Sequence, residues 1–327
     1  PTLIDAVDEA MRKGFNQYPL MPGAMPLRQA IADKIDYLYG RRYDPATEIT
    51  VTAGATQAIL TAVLCSVHAG DEVILIEPIY DSYLPAVELA GGKPVFVQMT
   101  LGEQGYAIPW DKVAAAVTPK TRMIIVNSPN NPTGWTITRE QQHALLTHCR
   151  KHGIWLLADD VYERLSYDAA PGESPCAPSF LDFCDTDERV VSTNSFSKAW
   201  LMTGWRLGWM QVPLSLMNGL GKLIEYNTSC APVFVQRAGL VAIQRSEEIV
   251  LPTIARYRAA RDFLYQRLSS PALRDAGVIV PKPRGAMYLF FKIAGETDSL
   301  ALCKRMVAEA GLGLAPGSAF GPEGEGA

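Results

Sequence analysis

Short runs of β-branched and aliphatic residues alternate with amphipathic helical stretches between about residues 49 and 211. This alternation is typical of βαβ units built around a largely parallel sheet. One helix is predicted over 56–67 and closed by Gly70, and another over 138–152, between Thr138 and Gly153. The predicted strands cover residues 49–53, 72–77, 94–99, 122–126, 154–158, 189–194 and 205–212.

Beyond about residue 213 the pattern becomes mainly helical, with a long helix predicted over 247–268 and short strands over 278–281 and 286–293. A helix over 3–13 precedes the first turn-rich segment. We therefore predict an α/β fold: a mostly parallel seven-stranded sheet with helices on both faces, plus a smaller α+β domain. The large domain is predicted over 15–245 and the small one over 1–14 with 246–327, and we expect both termini to be incomplete.

Composition narrows the class of protein. A chain of 327 residues exceeds the usual size of one hydrophobic core, which favours two domains. The net charge is −4 and no basic run is present, so a nucleic-acid partner is not expected. No apolar run reaches the roughly 18 residues that a membrane span needs. Six scattered cysteines without zinc-type spacing indicate reduced thiols, no metal site and a cytoplasmic location.

Polar residues follow several predicted strands at the point where each strand ends. In open parallel sheets, ligands bind in the crevice beyond the carboxyl ends of the strands, so these residues are expected to form one site. The small residues Gly54, Ala55 and Thr56 begin a helix, whose free backbone N–H groups suit a phosphate. The other candidates are Tyr80, Asn131, Asp159, Tyr162, Ser195, Lys198 and Arg206.

Two of these positions carry an ionic group in an apolar or small-residue context. Asp159 ends an apolar run and should be buried with a partner. Lys198 needs burial or a neighbouring cation to become a nucleophile, and Arg206 could provide that field or clamp a phosphate. Taken singly, each residue also fits an ordinary role: Thr56 or Asp159 as a helix cap, and Lys198 or Arg206 as a surface or salt-bridge group.

The combination of motifs resembles the class I/II aminotransferases, which depend on pyridoxal 5′-phosphate (PLP) and have PLP fold type I; aspartate, aromatic, methionine and kynurenine aminotransferases are examples. The resemblance extends over almost the whole chain. It rests on the segment 127–134, Asn-Ser-Pro-Asn-Asn-Pro-Thr-Gly, on Ser-Phe-Ser-Lys ending at Lys198, and on Met-Thr-Gly-Trp-Arg-Leu-Gly over 202–208. The spacings from Asp159 to Tyr162 and from Lys198 to Arg206 also agree.

The resemblance implies a role for each candidate. Lys198 would form the internal aldimine and then move the proton between the substrate α-carbon and the cofactor. Asp159 would pair with the pyridine nitrogen, Tyr162 and Asn131 would bond the ring's phenolic oxygen, and Tyr80 would stack on the ring. The phosphate would be held by the Gly54–Thr56 backbone, Ser195 and Arg206, and by Tyr18 of a neighbouring subunit, which implies a homodimer.

The implied reaction moves an amino group from an L-amino acid to a 2-oxo acid. A PLP-dependent β-lyase of the same fold and a non-catalytic PLP-binding domain are the alternatives, whereas a nicotinamide enzyme would need a GxGxxG after a strand. In the family, the substrate carboxylate is bound by an arginine that follows the position of 317–320, and this sequence shows none there. Arg284 is a conceivable substitute.

Overall fold

A computed structural model describes residues 2–102, 105–169, 174–321 and 324–325. Its central element is a seven-stranded sheet. The strands are β1 (Ile49–Thr52), β2 (Glu72–Glu77), β3 (Lys93–Gln98), β6 (Thr121–Asn127), β7 (Trp155–Asp159), β8 (Val190–Ser195) and β9 (Gly208–Gln211), while β4 (Thr100–Gly102) pairs with β5 (Gly105–Ala107) and β10 (Val278–Ile279) with β11 (Lys292–Ile293). All seven strands predicted between residues 49 and 212 are therefore confirmed.

The strand order in the sheet is β1-β9-β8-β7-β6-β2-β3. β9 runs antiparallel to both of its neighbours, and the remaining pairs are parallel. Six strands therefore point the same way, and β9 starts at the edge where the other six end. The predicted fold class, a mostly parallel sheet, is confirmed.

Both faces of the sheet are covered. Ile74 and Ile76 of β2 lie in one apolar core, and their neighbours Val73 and Leu75 lie in the other. Because alternate side chains of a strand point to opposite faces, a strand that packs against an apolar core on both faces has apolar residues at consecutive positions. This is why the sequence shows continuous apolar runs rather than an alternation of apolar and polar residues.

Eleven helices are found in the described part of the chain. The predicted helix ends at Thr138 and Gly153 are confirmed: Thr138 forms a capping box with Gln141, and Gly153 closes the helix at φ 65°. The helices are α1 (Thr2–Arg12), α2 (Met25–Tyr39), α3 (Gly54–Ser66), α4 (Tyr83–Leu89), α5 (Trp110–Ala115), α6 (Arg139–His152), α7 (Leu214–Asn227), α8 (Val233–Gln244), α9 (Ser246–Leu268), α10 (Pro271–Asp275) and α11 (Ser299–Ala310).

Three predicted boundaries were wrong. α3 ends at Ser66 with Val67 as its cap, so Gly70 lies in the following turn. β9 starts at Gly208, because Thr203–Trp205 forms a 3₁₀ turn and Arg206 has a φ of 52°. The strand predicted over 286–293 is reduced to β11, since the backbone N–H of Ala286 donates to Leu165 instead of to a neighbouring strand.

The prediction of large and small domains remains a prediction; α1, assigned to the small one, packs against α8. All six cysteines are free thiols. Within the described ranges, no helix combines the length and the apolar character needed to cross a bilayer.

Candidate active site

A cavity of about 130 Å³ opens at the carboxyl edge of the sheet. The loops that follow β1, β2, β6, β7 and β8 all contribute to it, as the rule for open parallel sheets predicts. Its lining residues are Ala55, Thr56, Ile59, Tyr80, Asn127, Asn131, Asp159, Val161, Tyr162, Ser195, Ser197, Lys198, Arg206 and Tyr288. The structure thus brings together nearly all of the residues that the sequence singled out.

One end of the cavity is built for an anion. α3 starts at Gly54 without a side-chain cap, so the N–H groups of its first turn are available. Gly54 has a φ of 80°, and a Cβ there would lie 2.6 Å from Nη2 of Arg206. Only glycine allows the guanidinium to approach the helix start this closely. Thr56 lies inside α3, so the alternative role as its cap is excluded.

Ser195 is the last residue of β8, and Arg206 lies in the loop that joins β8 to β9. Nη1 of Arg206 donates to the carbonyl of Thr203 (2.9 Å), which fixes the guanidinium beside Gly54. Ser195 Oγ is buried and accepts the N–H of Ser197 (3.0 Å). A guanidinium, a hydroxyl and a helix N-terminus together form an arrangement that suits a phosphate.

Asp159 is 2% exposed at the end of β7. Tyr83 donates a hydrogen bond to its Oδ2, and the N–H of Val161 donates to its Oδ1 (3.3 Å). Burial raises the pKa of Asp159 to about 6, while the bonds from Tyr83 and Val161 and the charge of Lys198 act in the opposite direction. A turn, not a helix, follows Asp159, so its alternative role as a helix cap is excluded.

Lys198 is half-buried and lines the same cavity. Burial lowers its pKa below the ordinary value and Arg206 lowers it further, whereas Asp159 raises it. Its Nζ lies 5.8 Å from the ring centroid of Tyr162. A lysine of lowered pKa becomes a nucleophilic amine at lower pH than a free one.

The polar groups around Tyr162 complete the cavity. Its hydroxyl lies 2.5 Å from that of Tyr288. Asn131 is held by its own N–H, which donates to Oδ1 of Asn127 (2.6 Å), and the buried Oδ1 of Asn131 has no partner among the described residues. An unpartnered buried amide oxygen is costly, so this amide retains hydrogen-bonding capacity for a ligand.

Two candidates lie elsewhere. Tyr18 is 79% exposed and does not line the cavity of the single chain, so its predicted role toward a neighbouring subunit remains a prediction. Arg284 forms an ion pair with Asp168 (2.7 Å) on the surface. Arg284 does not line the cavity of the described structure, and its role as a substitute for the family's carboxylate-binding arginine stays a prediction.

The sequence analysis missed Tyr83 and Tyr288. Tyr83 follows Tyr80 by three residues, and their rings form an edge-to-face contact (5.6 Å). The spacing of three residues at the start of a helix could have indicated that Tyr83 lies beside Tyr80. Tyr288 lies 126 residues from its partner Tyr162, and no local pattern announces such a contact.

A choice of site by cavity volume alone would have selected a different part of the surface. A groove of about 590 Å³ lies between α2, α8 and the start of α9. Its buried cations are already paired, Lys34 with Glu163 and Arg164 with Glu247. Cations neutralised by protein carboxylates have little left to offer a ligand, so the chemistry favours the smaller cavity.

Asp160 allows a test of pH-dependent stability next to the site. Its buried carboxylate accepts hydrogen bonds from Ser192 (2.7 Å) and Ser179 (3.1 Å), and burial raises its pKa to about 7. An unfolded aspartate titrates near pH ~4, so between about pH 4 and 7 the folded state binds more protons and stability falls as the pH rises.

We expect the free energy of unfolding of the wild type to drop by on the order of 2 kcal/mol more than that of Asp160→Asn between pH 5 and pH 8. Urea unfolding of both proteins at the two pH values measures this difference. The charge of Asp159 acts on Asp160, so the measured difference includes the coupling between the two carboxyl groups. Equal pH dependence in the two would show that Asp160 is ionised at all these pH values.

Known proteins of one family match almost the whole chain. The family model of aminotransferase class I and II matches residues 1–326. The chain is 36% identical to aromatic-amino-acid aminotransferase 2 of Thermococcus litoralis, over 97% of this chain and 80% of that protein. It is 35% identical to a probable N-succinyldiaminopimelate aminotransferase of Mycobacterium tuberculosis, over 98% and 79%. The crystal structure of an aromatic aminotransferase from Pyrococcus horikoshii superimposes with a TM-score of 0.91 at 36% identity, covering 99% of this chain and 85% of that one.

Proposed function

The chain belongs to the family of class I and II aminotransferases, and from this premise we propose that it is a transaminase that holds pyridoxal 5′-phosphate on Lys198. Enzymes of this kind move an amino group from an amino acid to a 2-oxo acid. The β-lyase alternative is not favoured, because the relatives are named as aminotransferases. The named relatives differ in substrate at nearly equal identity, so the amino donor of this chain stays open.

One observation carries the proposal. A half-buried amine and a fully buried carboxylate, Lys198 and Asp159, line the same small cavity, and an anion-binding helix start lies at one end of it. PLP is an aldehyde with a basic ring nitrogen and a phosphate, so it requires an amine, an acid and an anion site together. Each of these three requirements has a residue of matching chemistry here.

The remaining residues fit the same cofactor. The Gly54–Thr56 backbone, Ser195 and Arg206 would hold the phosphate. Asp159 would hold the ring nitrogen protonated, and the hydroxyl of Tyr162 and the side-chain Nδ2 of Asn131 would donate to the phenolic oxygen. Tyr80 would stack on the ring. When bound, PLP supplies an electron sink for the negative charge that develops at the substrate α-carbon.

The protein's own groups then perform the proton chemistry. Lys198 Nζ, with its pKa lowered by burial, would accept the proton of the substrate α-carbon and hold it for return. The bonds that Tyr83 and the N–H of Val161 donate to Asp159 favour its charged form, which would face the ring nitrogen.

We also propose a cytoplasmic homodimer. Tyr18 carries a large apolar ring in a turn-rich segment and is mostly exposed in the single chain, which supports contact with a second copy. In this arrangement its hydroxyl would reach the phosphate site of the neighbouring subunit. Six free cysteines support a reducing location.

The proposal is tested by reconstituting the purified protein with PLP and adding a panel of amino acids. A donor should bleach the visible band of the bound cofactor and release its 2-oxo acid, and a 2-oxo acid should then restore the band. Mass spectrometry identifies both products. Release of ammonia without an acceptor would indicate a lyase, and an unchanged spectrum with every amino acid would contradict the proposal.

A further inference from the structure

We infer that Tyr288 is a positioning residue for Tyr162: its hydroxyl donates to Tyr162 Oη and thereby directs the Tyr162 proton at the phenolic oxygen of the cofactor. The inference rests on the proposed function and deepens it. The two hydroxyl oxygens lie 2.5 Å apart, and the rings meet edge to face with centroids 5.7 Å apart. Both residues line the cavity.

The fold delivers Tyr288 to this place by a rigidly docked segment, 283–286. The N–H groups of Arg284 and Gly285 both donate to the carbonyl of Gly134 (3.0 and 3.1 Å), and the N–H of Ala286 donates to Leu165 (2.9 Å). The hydroxyl of Tyr167 donates to the carbonyl of Ala286 (2.7 Å). The backbone of residues 284–286 is therefore fixed to the loops that carry Asn131 and Tyr162.

Glycine is required at two points of this docking. A Cβ on Gly285 would lie 2.6 Å from the Pro129 ring, and a Cβ on Gly134 would lie 2.3 Å from Cβ of Pro283. Close contact of this kind leaves the segment little freedom to shift. The hydroxyl of Tyr288, two residues beyond this segment, is therefore restricted in position, as the role of a positioning residue requires.

The direction of the hydrogen bond follows from donor counting. Each phenol has one proton, and burial raises the pKa of both Tyr162 and Tyr288, so both stay protonated. If the hydroxyl of Tyr162 donates its hydrogen bond to the cofactor oxygen, the hydroxyl of Tyr288 must donate the hydrogen bond between the two tyrosines. Hydrogen bonds arranged in such a chain strengthen one another, so Tyr162 becomes a better donor to the cofactor.

Other charged and titratable groups face this pair from the surrounding elements. Asp159 and Tyr80 act on both hydroxyls, Asp81 acts on Tyr288, and Lys198 Nζ lies over the Tyr162 ring. All of these groups remain in a Tyr288→Phe variant. A change in the pH behaviour of that variant is therefore assigned to the loss of one hydroxyl group.

The experiment follows the visible absorbance of the cofactor-loaded protein as a function of pH. A hydrogen bond from Tyr162 to the cofactor oxygen stabilises the unprotonated form of the linkage between Lys198 and the cofactor. Weakening that hydrogen bond should therefore raise the pH midpoint of the change in visible absorbance. We expect an upward shift of about half a unit to one unit in Tyr288→Phe, the size of one net hydrogen bond. kcat should fall about 3- to 10-fold, with a smaller change in KM.

Tyr106→Phe is the matched control. Tyr106 is a partly buried tyrosine that packs against Phe290, two residues beyond Tyr288, and its hydroxyl has no partner among the described residues. It does not line the cavity, so its midpoint should equal that of the wild type. A similar shift in both variants would overturn the inference, because loss of packing would then suffice to explain it.

A double-mutant cycle separates positioning from a general effect on the cavity. In a Tyr162→Phe background, the additional change Tyr288→Phe should leave the midpoint unmoved. An unchanged midpoint for Tyr288→Phe alone, or an equal shift in both backgrounds, would overturn the inference. Failure of the wild type to show any pH-dependent visible band would instead reject the proposed cofactor, so the two failures are distinguishable.

Discussion

Replacing Lys198 with alanine is expected to lower transamination by at least about 10⁴-fold, because one amine both attaches the cofactor and moves the proton. The half-buried Nζ is the amine that lines the cavity beside the buried carboxylate of Asp159. Borohydride reduction of the wild type should attach PLP covalently to the peptide containing Lys198, and the variant should show no such label. Mass spectrometry of the digested protein and steady-state kinetics measure the two effects.

Lys222→Ala provides the matched control for this experiment. Lys222 is exposed on α7, away from the cavity, so its removal should leave labelling and activity as in the wild type. Covalent labelling that persists in Lys198→Ala would assign the cofactor to another amine. In that case the proposed site would be wrong even though the family membership stands.

Replacing Asp159 with asparagine is expected to lower kcat/KM by about 10²- to 10³-fold. The buried carboxylate would face the protonated ring nitrogen, and removing one partner of a buried ion pair costs roughly 3–5 kcal/mol. An amide cannot hold that nitrogen in its charged form. Steady-state kinetics with the amino donor identified by the panel gives the size of the loss.

The pH dependence of cofactor binding gives an independent readout of Asp159. Burial places its pKa at about 6, so the carboxylate is charged above that pH and neutral below it. The affinity of the cofactor-free protein for PLP should therefore weaken as the pH falls through about 6, whereas Asp159→Asn should be weak at all pH values and lack this step. Equilibrium titration followed by absorbance measures both.

Asp160→Asn is the control for the aspartate experiments. The two carboxyl groups are adjacent in sequence and both buried, but that of Asp160 bonds Ser179 and Ser192 instead of lining the cavity. Its replacement should leave activity and PLP affinity near wild-type values. A loss equal to that of Asp159→Asn would mean that any change in this turn disrupts the site.

Much of the fold could be predicted from the sequence because the central strands of the sheet are buried on both faces. Runs such as 73–76 and 154–158 are continuously apolar, and a two-face environment is the simplest cause of such a run. The candidate site followed from a rule of topology: residues after parallel strands meet at one edge. From the sequence alone, this rule predicts that Asp159, Lys198 and Arg206 lie together.

Long-range contacts could not be predicted in the same way. Tyr288 reaches Tyr162 because the segment 283–286 docks beside Gly134, and that docking depends on close packing between parts of the chain that are distant in sequence. The prediction of a strand over 286–293 was wrong for the same reason. A run of apolar residues occurs in strands and also in buried loops, so the run alone does not identify a strand. The role proposed for Tyr18 involves a second copy of the chain, and a pattern along one sequence does not describe contacts between copies.

The antiparallel direction of β9 limits the sequence changes that the loop between β8 and β9 can accept. Ser195 pairs with Gly208, and the N–H of Phe196 donates to the carbonyl of Leu207 (3.0 Å), so residues 196–207 form a loop closed at its base. Lys198 and Arg206 both lie in this loop. An insertion or deletion in it would displace the amine and the guanidinium together. At the proposed site, a change of substrate preference is therefore expected to arise on the other sides of the cavity, where side chains can change without altering the length of this loop.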